Sequence, residues 1–216
     1  MHIPDGFLDL KTCVTTYLAA GASLKFSLEQ LKKKFSEEQI PLLGLLGAFI
    51  FAAQMINLPI AGGTSGHLLG GVLAMLVVGP WAASIVMSAI LIIQAVIFMD
   101  GGIAVLGANI FNIAIVQVVG SYLIYQLLDK VINSFKVNVF ITACLATIIS
   151  SVFAALELAF SGTVSLRIVI PAIVGWHLLI GLLEGLITVL VVVYLKRVIP
   201  KRLDFIDYKA GDSYVN

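Results

Sequence analysis

The chain has 216 residues, 60% of them hydrophobic and only 12% charged, with a net charge of +1. Soluble domains carry about twice that share of charge, so composition excludes an ordinary soluble enzyme and predicts a polytopic membrane protein sized for one helical bundle. The near-neutral balance gives no field for nucleic acid, the apolar runs are continuous rather than alternating, which argues against a barrel, and no GxxxxGKS/T loop for ATP hydrolysis is present.

The chain opens Met1-His2-Ile3-Pro4-Asp5-Gly6. The α-amine, the amide nitrogen of His2 and its imidazole can close two fused rings around one metal ion, leaving a fourth ligand to be found elsewhere. A histidine at position two is otherwise an incidental feature of a frayed terminus. Pro4-Asp5-Gly6 reads as a turn that tucks the terminus inward. The opening lacks the basic start of a signal peptide, and Ala19 to Ser23 is the stretch that imitates a cleavage site.

After this segment (1–9), the apolar pattern predicts an all-α bundle with spans at about 10–28, 41–58, 67–80, 81–99, 107–128, 137–160 and 172–195. A basic loop around Lys32-Lys33-Lys34 follows the first span. An uncharged Gly-rich loop at 59–66 follows the second, and the tail from Lys196 is polar. The third span is short for a crossing, so the distribution of cations decides its status. With seven crossings, Lys11 and Arg167 lie on one side and the other 11 of the 13 Lys and Arg residues on the opposite side; with six, the split is 5 against 8. The first split puts the N-terminus outside and the C-terminus in the cytoplasm. Met1, His2, His67 and the loop from Asp100 to Asn112 then share the outer side.

His67 follows Gly62-Gly63-Thr64-Ser65-Gly66 and opens the third span, as a fourth nitrogen ligand or as a helix-capping or interfacial residue. Asn109 and Asn112, one turn apart, either hydrogen-bond the chelating terminus from outside the ligand set or cap a helix. Asp100 shapes a Gly-Gly turn and is a further candidate for that supporting role. His177 and Glu184 share a face seven residues apart, as a structural hydrogen-bonded pair or as a metal or proton site. Glu157 lies toward the outer end of its span, within reach of headgroups. Ala48 and Ala52, with Gly44 one turn earlier, make a small-residue ridge suited to a partner helix. Cys13 and Cys144 read as small buried hydrophobes.

Four stretches, MHIPDG at 1–6, AAQMINLPIAGGTSGHLLGG at 52–71, DGGIAVLGANIFNIAIV at 100–116 and HLLIGLLEGLIT at 177–188, resemble the CbiM/NikM family. These are the substrate-binding membrane (S) components of energy-coupling-factor (ECF) transporters for cobalt and nickel, the former serving cobalamin biosynthesis. The resemblance implies a non-enzymatic, multi-pass protein of the prokaryotic cell (inner) membrane. It implies that the N-terminus inserts into the bundle, where the Met1 amine, the His2 amide and side chain, and His67 hold Ni(II) or Co(II) in a square plane. It further implies a transmembrane coupling subunit, two cytoplasmic ATPase subunits and a small accessory membrane subunit as partners, with Ala48 and Ala52 meeting the coupling subunit. Residue identities at the ligand positions do not separate nickel from cobalt.

Two other classes stay open. One is a secondary transporter or channel driven by an ion gradient, with His177, Glu157 and Glu184 as a relay; no inverted repeat of broken helices supports it. The other is a membrane-embedded enzyme built on Asp100, His177 and Glu184, for which few polar residues converge.

Overall fold

A computed structural model describes residues 1–33, 36–56, 58–60 and 64–199. Lys34, Lys201, Arg202 and Lys209, which the cation count used, lie outside the described residues. The helices are α1 (Leu10–Leu31), α2 (Ile40–Gln54), α3 (Gly71–Ile97), α4 (Leu106–Asn109), α5 (Val118–Leu128), α6 (Phe135–Phe160) and α7 (Leu166–Val198). A π-helical stretch, Ile110–Gln117, joins α4 to α5 as one rod, and a single 3-10 turn, Glu37–Gln39, precedes α2. The expected loop at 59–66 is instead a small antiparallel ribbon, β1 (Leu58–Ile60) paired with β2 (Thr64–Gly66), so the described elements are helical apart from this hairpin.

α1 starts where Asp9 caps it, its carboxylate accepting from Thr12 N at 2.9 Å. α6 and α7 pack closely because Gly181 and Gly185 have no side chain. A Cβ on Gly181 would stand 3.2 Å from Cys144 Cα, and one on Gly185 2.8 Å from the Phe140 ring. Cys144 Sγ donates to Gly181 O at 3.3 Å across this seam. The middle of α6's buried face is correspondingly small, with Ala143, Ala146, Thr147, Ser150 and Ala154 among its residues.

Among the described residues four helices are long and apolar enough to cross a bilayer, α3 counted across its break: α3, Leu106–Leu128, α6 and α7. This is a multi-pass membrane protein. The difference from seven expected spans has identifiable sources. α1 carries Thr12, Thr15, Thr16, Ser23 and Lys25, and α2 has only 15 residues. The expected third and fourth spans form one element, α3, which is interrupted at Gly79 by φ 79°, ψ 163°. That conformation favours glycine, and Pro80 then restarts the helix, where its missing N–H is no loss.

The packing on either side of Gly79 runs in opposite directions. Gly70 abuts Ile50 of α2, while Val77 lines a cavity of about 450 Å³ with Leu42 near the start of that helix. Beyond the break, Gly47 faces Val86, and Gln94 Nε2 donates to Gln54 Oε1 at 2.9 Å. The chain therefore descends along α2, turns back at Gly79 and climbs along it again. Residues 71–78 are a half-length helix, about 12 Å at 1.5 Å per residue. The stretch His67–Gly70 that leads into it runs as irregular backbone at the level of Ile50, where a helix was expected.

α1 leans on α4. A Cβ at Gly107 would lie 2.6 Å from Tyr17 N, and the Tyr17 hydroxyl donates to Ile103 O. Gly107→Val is expected to pry the two helices apart, lowering stability by about 1–3 kcal/mol, read as a fall in the thermal midpoint in detergent. Gly21→Ala, mid-helix and where the added methyl meets open space, should leave that midpoint unchanged or slightly raised.

Candidate metal centre

Residues 1–9 do not fray. Met1, His2 and Ile3 are 2%, 4% and 1% exposed, although the segment has no regular secondary structure. Buried irregular backbone needs partners for its N–H and C=O groups. Asn109 supplies two: Ile3 N donates to its Oδ1 at 2.8 Å, and its Nδ2 donates to Ile3 O at 3.0 Å. Gly102 N also donates to Ile3 O, at 3.1 Å. The Asp5 carboxylate accepts from Ile103 N and Ala104 N at 3.1 and 2.8 Å. Thr163 Oγ1 donates to Phe7 O, and Ser161 Oγ to Asp9 Oδ1 at 3.4 Å. The strap is thus tied to the Asp100–Ala104 loop, to α4 and to the α6–α7 turn.

The Asp100-Gly101-Gly102 turn fits around this strap. Gly101 has φ 86°, and a Cβ on Gly102 would collide with the Asp5 carboxylate. Asp100 Oδ1 lies 3.1 Å from His2 Nδ1, an ion-pair distance whose alignment falls short of a directed hydrogen bond. The adjacent imidazole holds the Asp100 carboxyl below its ordinary range. Burial lowers the His2 imidazole, with Asp100 opposing. Burial also lowers the Met1 amine from 8.0 to about 4, again against the pull of Asp100. At neutral pH the terminus is therefore an uncharged amine, the form that binds metal.

The His2 and His67 rings stand 4.4 Å apart between centroids, tilted by 38°. His67 Nδ1 is 2.8 Å from Leu68 O. A carbonyl only accepts, so Nδ1 carries the proton and Nε2 presents a lone pair. That Nε2 and His2 Nε2 are buried without a hydrogen-bond partner, and His2 Nδ1 faces only the Asp100 carboxylate. Orphaned buried nitrogens on two adjoining rings suit a metal ion, which replaces the missing partners. Among the described residues no three His, Cys, Asp or Glu side chains cluster as a metal site.

The irregular His67–Gly70 backbone is pinned by Glu184. Its carboxylate accepts from Leu69 N at 3.1 Å, Gly70 N at 3.0 Å, Gln117 Nε2 at 3.0 Å and Thr147 Oγ1 at 3.2 Å. Gln54 Nε2 adds a bond to Leu69 O at 2.6 Å. Met1's sulfur sits 3.9 Å from Ser150 Oγ, which donates to Asn112 O at 2.6 Å.

The structure thus brings Met1, His2, His67 and Asp100 together, with Asn109 gripping the strap. Asn112 does not reach the terminus: its Nδ2 donates to Glu157 Oε2 at 2.6 Å. Glu157, expected near headgroups, is 7% exposed. His177 and Glu184 are not a hydrogen-bonded pair, since His177 Nδ1 turns to Ile173 O at 2.7 Å. Ala48 and Ala52 are exposed on one side of α2. The supports that sequence reasoning passed over are Gln54, Gln94, Gln117, Thr147 and Ser150; uncharged polar residues in apolar helices were the available signal.

Residues 2–202 match the family model described as the CbiM cobalt uptake substrate-specific transmembrane region. A putative fused nickel transport protein, NikMN, of Archaeoglobus fulgidus is 40% identical over 213 residues, spanning 98% of this chain and 70% of the relative. A crystal structure of a transition metal transporter superposes with a TM-score of 0.88 at 32% identity, covering 99% of this chain and all of that one. The S component of a bacterial ECF transporter shares the fold alone, with a TM-score of 0.51 at 18% identity over 76% of this chain.

Asn109→Ala removes two of the three hydrogen bonds that Ile3 makes, leaving the one from Gly102 N, and is expected to cost the docked strap about 1–3 kcal/mol. Amine-reactive acylation of Met1, followed by mass spectrometry of the N-terminal peptide, should be slow in the wild type and distinctly faster in the variant.

Proposed function

The chain belongs to the CbiM family, and from that premise we propose that it is the substrate-binding component of an ECF-type importer, with Ni(II) or Co(II) as its substrate. The observation that carries this reading is the insertion of an uncharged terminal amine and His2 against His67, with Nε2 of both rings left without a hydrogen-bond partner. The Met1 amine, the deprotonated His2 amide and His2 Nδ1 close a five- and a six-membered ring on the ion, and His67 Nε2 supplies the fourth nitrogen. Nitrogen donors suit these ions, and a planar set suits d8 Ni(II). Loading takes His2 Nδ1 from Asp100, whose carboxylate stays to balance the added charge.

The chain has seven crossings in this reading, α3 contributing two: a half-helix to Gly79 and a full one after it. The strap end faces outside and the C-terminus the cytoplasm, as the distribution of Lys and Arg favours. The whole chain forms a single transmembrane domain. Power comes from partners: a transmembrane coupling subunit, two cytoplasmic ATPases and a small accessory membrane subunit. The exposed Ala48 and Ala52 form the face of α2 that meets the coupling subunit. The relay of a gradient-driven transporter draws no support from the contacts, because His177, Glu157 and Glu184 each bond to separate partners.

An uncleaved residue placed before Met1 removes the amine and should abolish Ni(II) and Co(II) binding in equilibrium dialysis; His67→Ala should weaken it by more than about 100-fold. Undiminished affinity in the extended protein would sink this reading. The pH dependence has a definite sign. With the amine already neutral above about pH 4, binding near neutrality releases one proton, from the His2 amide. Affinity should rise about tenfold per pH unit from 6 to 8, whereas an amine titrating at its ordinary value would make the slope steeper below pH 8.

A further inference from the structure

Leu69, two residues past His67, has both of its main-chain groups held by side chains of other helices. Its N–H donates to Glu184 Oε2 at 3.1 Å, and its carbonyl accepts from Gln54 Nε2 at 2.6 Å. The Leu68–Leu69 peptide is planar, so the Leu69 N–H and the Leu68 carbonyl move as one unit. That carbonyl accepts from His67 Nδ1 at 2.8 Å. Fixing Leu69 therefore fixes the direction in which the His67 ring presents Nε2.

Gln54 is fully buried at the end of α2 and reaches a second partner. A carbonyl can only accept, so the Gln54 amide nitrogen faces Leu69 O and its Oε1 is left for another donor. Gln94 of α3, also fully buried, meets that oxygen with its own Nε2 at 2.9 Å. The main-chain carbonyl of Gln94 accepts from Asp100 N at 3.0 Å. Next to Asp100, Met99 takes φ 54°, a left-handed conformation uncommon outside glycine. Met99 is 89% exposed, so this conformation serves the main chain rather than its side chain. Asp100 in turn faces His2 Nδ1 at 3.1 Å. An unbroken run of contacts, through Leu69, Gln54, Gln94 and Asp100, thus joins the His67 side of the site to the His2 side, and Gln54 is where α2 enters it.

We propose that Gln54 is a positioning residue of the metal centre: with Gln94 it locks the His67 side and the Asp100–His2 side to each other, and so sets how long the ion stays bound. The proposal rests on the reading of the terminus, His2 and His67 as ligands and deepens it. Gln54 touches neither ligand ring and acts through preorganisation. His2 and His67 come from segments remote in sequence, and an ion held between them escapes when either half swings away. With Gln54 in place, neither half moves without the other.

The test follows release of Ni(II) from the loaded, untagged chain with a free Met1 amine, by decay of its d–d band after excess EDTA is added. Gln54→Met is unbranched and of similar size but can make neither bond. Gln54→Asn keeps the amide yet falls one methylene short of Leu69 O, and reads the same way should the Met variant not fold. Release about tenfold or more faster than in the wild type, with the band position and one ion per chain retained, supports the proposal. Gln94→Met separates a shared link from two packing defects. It should also speed release, and combining it with the Gln54 variant should give no further gain, because one link is broken only once. Release within about twofold of the wild type in the Gln54 variant, or effects that multiply in the double variant, overturns the proposal and leaves the terminal site standing. A wild type that binds no Ni(II), or a His67→Ala variant that releases it no faster, overturns the reading of the site and this proposal with it.

Discussion

Ile3 pairs both its N–H and its C=O with the side chain of Asn109, as a neighbouring strand would. A terminal segment of irregular backbone cannot enter an apolar bundle unless its amide groups are satisfied there. Asn109 meets that requirement at Ile3, Gly102 N shares the Ile3 carbonyl, and the Asp5 carboxylate in turn takes the Ile103 and Ala104 N–H groups of the facing loop. With the strap held, the amine has nowhere to find bulk water, and burial strips it of its proton. The chemistry of the terminus is thus a consequence of its anchoring.

The second half of the site obeys the same constraint. His67 to Gly70 is another irregular stretch inside the bundle, and its exposed N–H groups are taken by Glu184. A carboxylate suits this role because it accepts several bonds at once, and Gln117 and Thr147 complete its shell. Four elements therefore converge behind His67: α2 through Gln54, the rod after α4 through Gln117, α6 through Thr147 and α7 through Glu184. A motion of α2 pulls on Leu69 directly, two residues from the imidazole.

The helical character of the chain and the grouping of Met1, His2 and His67 were legible because apolar runs and cation placement are local signals. The break at Gly79 lies beside the expected boundary at 80/81, because a Gly-Pro pair is a local signal, while the reversal of the chain there depends on contacts of Val77 and Val86 with opposite parts of α2. Legibility failed where a role depends on long-range pairing. Asn109 and Asn112 look equivalent one turn apart, yet one grips the strap and the other turns to Glu157. Glu184 looked like a partner for His177 because they share a face, but its partners come from segments more than 30 residues away. The ribbon at 58–66 was hidden because glycines and short apolar stretches are equally at home in loops.

The central claim is that a metal ion is held by main-chain nitrogen at the terminus together with His2 and His67. A visible absorption spectrum of the chain with a free Met1 amine, titrated with Ni(II), tests it most directly. The account predicts a yellow d–d band of square-planar Ni(II), growing to saturation at one ion per chain. Saturable binding that leaves only the pale green of six-coordinate Ni(II) would contradict it.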